Sequence, residues 1–293
     1  MKNIIVVTGG AGFVGSNLIS LLIKKTKYKI ISIDNYSTGS KKNHKQNKRI
    51  NYIKGNTKNI ATILKNKANK IKTIFHFGEF ARIYQSFLKM SECIDSNSVG
   101  SNAVFNFCLT NNIKLFYSAT SASLGNKGKD KNLSPYAFTK SKNLEMLENL
   151  KKWFDMKYEV VYFYNVYGPN QICKGPMSTL IGIFENHYKS KKPLPVVKPG
   201  YQTRRFTHIS DTVNTCYFAW KKNLCRHYSI ANKKSFSVFE VAKMFGGKVK
   251  FLPKRLGERY VSSLTNNNLS NKIYKHYGKI NLKDYINNFV KSN

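Results

Sequence analysis

Tyr136 and Lys140 stand four residues apart in the segment YAFTK. Small hydroxyl residues (Ser118, Thr120, Ser121 and Ser123) precede them. On a helix, positions i and i+4 share a face, so an ammonium at 140 can stand near a phenol at 136. A free phenol ionises near pH ~10, and an adjacent cation favours the phenolate. Such a pair could move protons. The same spacing also arises at a plain helix start behind a basic loop, so a partner chemistry has to come from elsewhere in the chain.

The segment VVTGGAGFVGS supplies one. Gly9, Gly12 and Gly15 follow an apolar run and open an amphipathic stretch. Gly9 suits a tight turn, Gly12 lets backbone N–H groups approach a pyrophosphate, and Gly15 lets a helix pack closely on a strand. The helix start adds partial positive charge for phosphates. Asp34 closes the second apolar run, 19 residues beyond Gly15. A carboxylate there can accept both hydroxyls of an adenosine ribose and would repel a 2′-phosphate. NAD is therefore favoured over NADP, although Lys41 and Lys42 nearby weaken that preference.

The elements that must carry these residues read as alternating strands and helices. Ile4–Thr8, Lys29–Ile33, Ile71–Phe77, Ile113–Ala119 and Glu159–Tyr164 are nearly continuous apolar runs, as strands buried on both faces are. Gly12–Lys24, Ser98–Thr110 and Ser134–Phe154 between them have helical patterns. Alternation of this kind predicts an α/β fold with a doubly wound parallel sheet. After Pro169 the pattern loosens among Pro176, Pro193, Pro195 and Pro199, with one helical stretch at Ser178–Tyr188. A first domain over 1–165 and a smaller lobe over 166–293 follow, the chain returning to the first domain around 206–232.

Composition bounds the function classes. An apolar fraction of 41% in 293 residues fits a globular chain. No apolar run of about 18 residues exists, so no membrane span is expected. The run Ile4–Val7 is too short for a signal peptide. The five cysteines are scattered and lack metal spacing, which suggests reduced thiols, a cytoplasmic setting and no structural metal. The balance of 50 Lys and Arg against 14 Asp and Glu is strongly basic. The lysines are spread along the chain without a recognition motif of aromatic and basic residues, so nucleic acid is not the expected main partner. The charge would attract a phosphorylated substrate.

At this point the chain resembles the extended short-chain dehydrogenase/reductase family, and within it the nucleotide-sugar epimerases and dehydratases. The matching segments run in the family's order: TGGAGFVGS, DNYSTGS, HFGEFARIYQS, NSVGS, SATSASLG, YAFTK, YNVYGP, QTRRFTHISD and RLGE. The resemblance implies a Rossmann-type domain with a C-terminal substrate-binding lobe and NAD as cofactor. Tyr136 would then be the acid/base on a sugar hydroxyl as hydride leaves the same carbon. Lys140 would favour the phenolate and hold the nicotinamide ribose. Thr120 would hydrogen-bond the reacting oxygen, with Ser118, Ser121 and Ser123 as alternatives if the register slips. Gly9, Gly12, Phe13, Val14, Gly15, Asp34, Asn35, Asn56, Thr57, Phe77, Gly78 and Asn97 would form the cofactor site. Ser121 and Asn165 would face the sugar. Arg204 and Arg255 would clamp a nucleotide diphosphate, with Arg205 as the alternative. A homodimer through a four-helix bundle is implied, built on Ser98–Thr110 and Ser134–Phe154, with Phe105, Leu144 and Leu147 read as exposed apolar residues.

The departures from the family pattern narrow the reaction. The sugar 4,6-dehydratases of this family carry an Asp-Glu pair after the catalytic Thr; here Ser121 and Ala122 stand there, without the acid and base that elimination needs. What remains is hydride chemistry without a second acid/base, and the resemblance then implies a UDP-sugar 4-epimerase that removes hydride from C4, lets the 4-keto sugar turn over and returns hydride to the other face. The alternative is an NAD(P)H-dependent keto-sugar reductase. A non-catalytic RNA-binding member of the fold is a third reading, opposed by the intact Tyr136 and Lys140. Three features are unusual: a short, lysine-rich loop before Tyr136, Asn56 in place of the aspartate that reads adenine, and Glu79 where the family has a small uncharged residue. Glu79 either pairs with Arg82 or binds a sugar hydroxyl or amine.

Overall fold

The computed structural model describes residues 2–258 and 273–293. Eight parallel strands form the central sheet: β1 (Ile4–Thr8), β2 (Lys29–Asp34), β3 (Ile50–Lys54), β4 (Ile71–His76), β5 (Lys114–Thr120), β6 (Tyr158–Phe163), β11 (His227–Ala231) and β14 (Ile273–Tyr277). Their order is β14-β11-β6-β5-β4-β1-β2-β3. The order reverses between β1 and β4, and a doubly wound sheet opens its ligand crevice at the carboxyl ends beside such a point. β1 is buried along its length, as its unbroken apolar run requires. β3 lies at the sheet edge, half-covered, and has no such run.

Helices cover both faces. α1 (Phe13–Lys25) and α8 (Ile209–Lys222) pack on one face through Leu18, Leu22, Val213 and Trp220. α2 (Ile60–Leu64), α5 (Ser101–Thr110) and α6 (Pro135–Phe154) cover the other through Leu64, Phe105 and Leu147. Two short helices, α3 (Ile83–Leu88) and α4 (Met90–Ile94), lead through a π-helical turn at Asp95–Gly100 into α5. Pro135 at the first position and the Ser134 hydroxyl, which accepts from Ala137 N at 3.1 Å, start α6 one residue before Tyr136. The start of α6 thereby fixes where the phenol emerges.

Phe105, Leu144 and Leu147 do not face solvent. They are 1%, 9% and 0% exposed, because their side of each helix is the one that packs on the sheet. Exposed apolar residues of this region include Ile94, Val99, Phe138, Met146, Trp153 and Phe154.

The remaining elements build a lobe over the carboxyl edge of the sheet. β7 (Val166–Tyr167) pairs with β10 (Thr207–His208), β8 (Leu194–Val197) with β13 (Val249–Leu252), and β9 (Thr203–Arg204) with β12 (Phe236–Ser237). α7 (Leu180–Lys189), α9 (Val238–Phe245) and α10 (Leu282–Lys291) pack with them around Phe184, Val196, Val241 and Phe245.

Candidate active site

A cavity of about 700 Å³ lies between the sheet's carboxyl edge and the lobe. Its sheet side is built from the glycine loop. Gly9 has φ +67, and a Cβ on Gly15 would stand 2.2 Å from the Gly9 carbonyl, so loop and helix meet without side chains. No side chain caps the α1 N-terminus, and Gly12, Phe13, Val14 and Gly15 line the cavity. Uncapped N–H donors facing a cavity fit a pyrophosphate. Asp34 accepts from Ala11 N at 2.9 Å and from Tyr36 N at 2.8 Å. Burial raises its carboxyl above the ordinary value, and N–H donors from Tyr36, Ala11 and Gly12 oppose that rise. The residues present therefore fit an adenosine and its phosphates.

Asn35, Asn56, Thr57, Phe77 and Gly78 line the same end. The Asn56 side chain also accepts from Lys58 N at 3.1 Å, capping a short turn. Asn97 does not line the cavity. It is fully buried, its amide accepts from Phe80 N at 2.6 Å and donates to Phe80 O at 3.1 Å, and so it holds the strand-end loop in place from behind.

At the centre, Ser118, Thr120, Ser121, Tyr136 and Lys140 meet along one wall. The Thr120 hydroxyl accepts from Ala122 N at 3.2 Å, and the Ser118 hydroxyl donates to His76 O at 3.0 Å. Tyr136 is half-buried, and its backbone N–H donates to the Ser86 hydroxyl at 3.2 Å, so α3 braces the start of α6.

Glu79 lines the cavity, and its ion-pair partner is Lys140, not Arg82. One oxygen takes the Lys140 ammonium. The other accepts from Ser101 at 2.9 Å, Tyr117 at 3.0 Å and Asn143 at 3.2 Å. Lys140 also donates to Ser118 O and lies 4.3 Å from the centre of the Tyr117 ring. Burial lowers the Lys140 ammonium from its ordinary value, and Glu79 opposes that. Behind the pair runs a directed chain. Phe77 N and Gly78 N donate to the Thr8 hydroxyl, which contacts His76 Nδ1 at 2.7 Å, and His76 Nε2 contacts Ser101 at 2.9 Å. Because Ser101 donates to Glu79, His76 must donate from Nε2 and accept at Nδ1. Burial pushes His76 down to about 4, which keeps it neutral.

On the lobe side, Arg204 lines the cavity and pairs with Glu258 at 2.5 Å. Arg255 lines it too, its guanidinium 5.2 Å from the centre of the Tyr84 ring. Arg205 turns away, donating to Asn232 O at 2.6 Å and Lys233 O, which leaves Arg204 as the cavity arginine of the two. Asn165 lines the cavity with its amide donated to Arg205 O at 3.1 Å. Sequence reading offered Arg82 only as a partner for Glu79, yet it also lines the cavity. A signal existed: the chain holds seven arginines among 50 basic residues, and Arg82, Arg204 and Arg255 all converge here.

Comparison with known proteins agrees with this architecture. The chain is 30% identical over 256 residues to an ADP-L-glycero-D-manno-heptose-6-epimerase of Brachyspira hyodysenteriae, covering 82% of this chain and 79% of the relative. A putative UDP-glucose 4-epimerase of Methanocaldococcus jannaschii is 26% identical, with 87% and 88% covered. A UDP-glucose 4-epimerase of Thermotoga maritima, solved with UDP-glucose, superposes with a TM-score of 0.84 at 22% identity over 98% of this chain and 97% of that one; at that identity the likeness is one of fold. Residues 5–231 match the NAD dependent epimerase/dehydratase family, and the chain belongs to that family.

Proposed function

We propose that the protein is a nucleotide-sugar 4-epimerase of the UDP-sugar type. The observation that carries this reading is the convergence of Tyr136, Thr120 and the glycine loop on one cavity, with Ser121 and Ala122 where elimination would need carboxylates. NAD, when bound, supplies the hydride acceptor and then the donor. The α1 N-terminus holds its phosphates and Asp34 its adenosine ribose. Tyr136 takes the proton of the reacting sugar hydroxyl and later returns it, while Thr120 hydrogen-bonds the same oxygen. Arg204 and Arg255 meet the diphosphate. A guanidinium has five donors, so Arg204 can keep Glu258 and still bind phosphate. A cavity of this size leaves space for a keto sugar to turn over.

The working form is a homodimer. The surface that supports this is the apolar group Ile94, Val99, Phe138 and Met146 across the α4–α5 and α6 region.

A proton NMR time course with catalytic NAD and UDP-glucose, UDP-N-acetylglucosamine or UDP-glucuronate tests the reaction. A new anomeric signal of the 4-epimer without net cofactor reduction is expected. No change with any of them, together with consumption of NADH by a 4-keto sugar, would replace the epimerase by a reductase. Tyr136→Phe should bind NAD as before and lose nearly all turnover in the same assay.

A further inference from the structure

Five cations line the cavity, and three of them have a counter-charge within the protein. Lys140 pairs with Glu79, Lys89 with Glu92 at 2.9 Å and Arg204 with Glu258 at 2.5 Å. Arg82 and Arg255 form no ion pair among the described residues, which include all 14 Asp and Glu side chains of the chain. A cation drawn partly out of water without a counter-charge is costly, and a ligand that brings an anion to it removes that cost. The diphosphate of a nucleotide sugar is met by Arg204 and Arg255 in the reading above. A neutral sugar then leaves Arg82 with nothing to meet.

Arg82 is half-buried and held at the seam between sheet and lobe. It immediately precedes α3, and its carbonyl accepts from Ser86 N at 3.2 Å. The Ser86 hydroxyl in turn accepts from Tyr136 N, so the segment carrying Arg82 lies beside the start of α6. Two backbone carbonyls orient the guanidinium: Nε donates to Met177 O at 2.9 Å and Nη1 to Ala81 O at 2.7 Å. A guanidinium has five N–H donors, so these two bonds leave three for a ligand. Glu79 also lines the cavity, but Lys140 neutralises it, and it does not cancel the charge of Arg82.

We propose that Arg82 is a specificity-determining residue that binds a carboxylate on the sugar ring, and that the substrate is a nucleoside diphosphate hexuronate. The carboxylate of a hexuronate hangs on C5, next to the C4 whose oxygen goes to Tyr136. A planar guanidinium fixed by its own backbone suits a carboxylate through paired hydrogen bonds. The assignment of the sugar rests on the 4-epimerase reading; that of an anion at Arg82 rests on the charges of the cavity.

The test is isothermal titration calorimetry of the NAD-saturated enzyme with UDP, UDP-glucose and UDP-glucuronate. Wild type should bind UDP-glucuronate about tenfold or more tighter than UDP-glucose. Arg82→Gln should weaken UDP-glucuronate by about 10- to 100-fold and leave UDP and UDP-glucose within about twofold. UDP needs the folded cavity and no sugar contact, so its unchanged affinity shows that the variant folds. Arg82→Lys should keep part of the preference, because the charge stays and the fork is lost. Equal weakening of all three ligands would put Arg82 on the diphosphate or in the scaffold and end the assignment. A wild type without preference for the uronate would end it too, and failure of all three to bind would end it together with the UDP-sugar reading. If the preference depends on Arg82 but no 4-epimer of UDP-glucuronate appears in the NMR time course, the reaction reading fails and the carboxylate site stands.

Discussion

Two buried lysine–glutamate pairs lie at opposite ends of the central sheet, and they are held in different ways. At the amino end, Glu159 on β6 is fully buried, takes Lys114 at 2.8 Å, and also accepts from Cys225 N at 3.0 Å and Arg226 N at 2.8 Å. At the carboxyl end, Glu79 accepts from Lys140, Ser101, Tyr117 and Asn143, four side chains from three different elements. The first carboxylate is anchored by backbone that the fold fixes in any case. The second depends wholly on side chains, so sequence can rewrite it without moving the backbone. A pair of the second kind suits the neighbourhood of a reactive cavity, where charge has to be placed independently of the scaffold.

The largest difference should appear at the amino end. Glu159→Ala leaves two N–H donors without their acceptor and Lys114 with only the Asn223 side chain, and removing one partner of a buried pair costs about 3–5 kcal/mol. Urea unfolding should show that loss, with turnover per folded molecule unchanged. An effect below about 1 kcal/mol would mean that water replaces the carboxylate there.

His76 gives the carboxyl-end network a pH dependence. Its folded value of about 4 lies below its ordinary 6.5, so below 6.5 the unfolded chain binds a proton that the folded chain refuses. Stability should fall as pH drops from 6.5 to 4 and level off below that, by about 3 kcal/mol in all. A His76→Gln variant should lose this part of the slope, while Glu159→Ala should keep it. Parallel pH profiles for wild type and His76→Gln would show that the ring is not buried neutral.

Glu79→Gln should cost less than Glu159→Ala, about 1–3 kcal/mol, because the amide oxygen keeps an acceptor for Ser101, Tyr117 and Asn143 while Lys140 can turn toward the cavity. Thermal melting of the two variants side by side checks the ranking. Equal losses would erase the distinction between backbone-held and side-chain-held pairs.

That distinction also marks where the sequence was legible. β1, β2, β4, β5 and β6 announce themselves as apolar runs because both of their faces are covered. β3 and β14 are half-exposed edge strands, INYIK and IYKHY, and their mixed character hides them. The glycine loop and Asp34 were readable because backbone geometry dictates glycine and a carboxylate at fixed positions. Glu79 and Asn97 were not, because their partners lie 61 and 17 residues away and are chosen by side-chain packing. The inward faces of α5 and α6 were misread for a related reason. Helical spacing marks an apolar stripe but not which side of the sheet will cover it, so Phe105, Leu144 and Leu147 looked free.

The smallest effect on stability should come from the outer face of α6, the same helix that delivers Lys140. Leu147 is fully buried, so Leu147→Lys would place a charge in the core and unfold the chain instead of reporting on association. Phe138 and Met146 are 46% and 41% exposed, and a charge there touches neither the core nor the Glu79 network. Phe138→Lys with Met146→Lys should change monomer stability by less than about 0.5 kcal/mol per substitution. Sedimentation velocity should show a dimer in wild type and a monomer in the double variant. A dimer that survives both substitutions would place the subunit contact elsewhere and leave the two faces of α6 energetically alike.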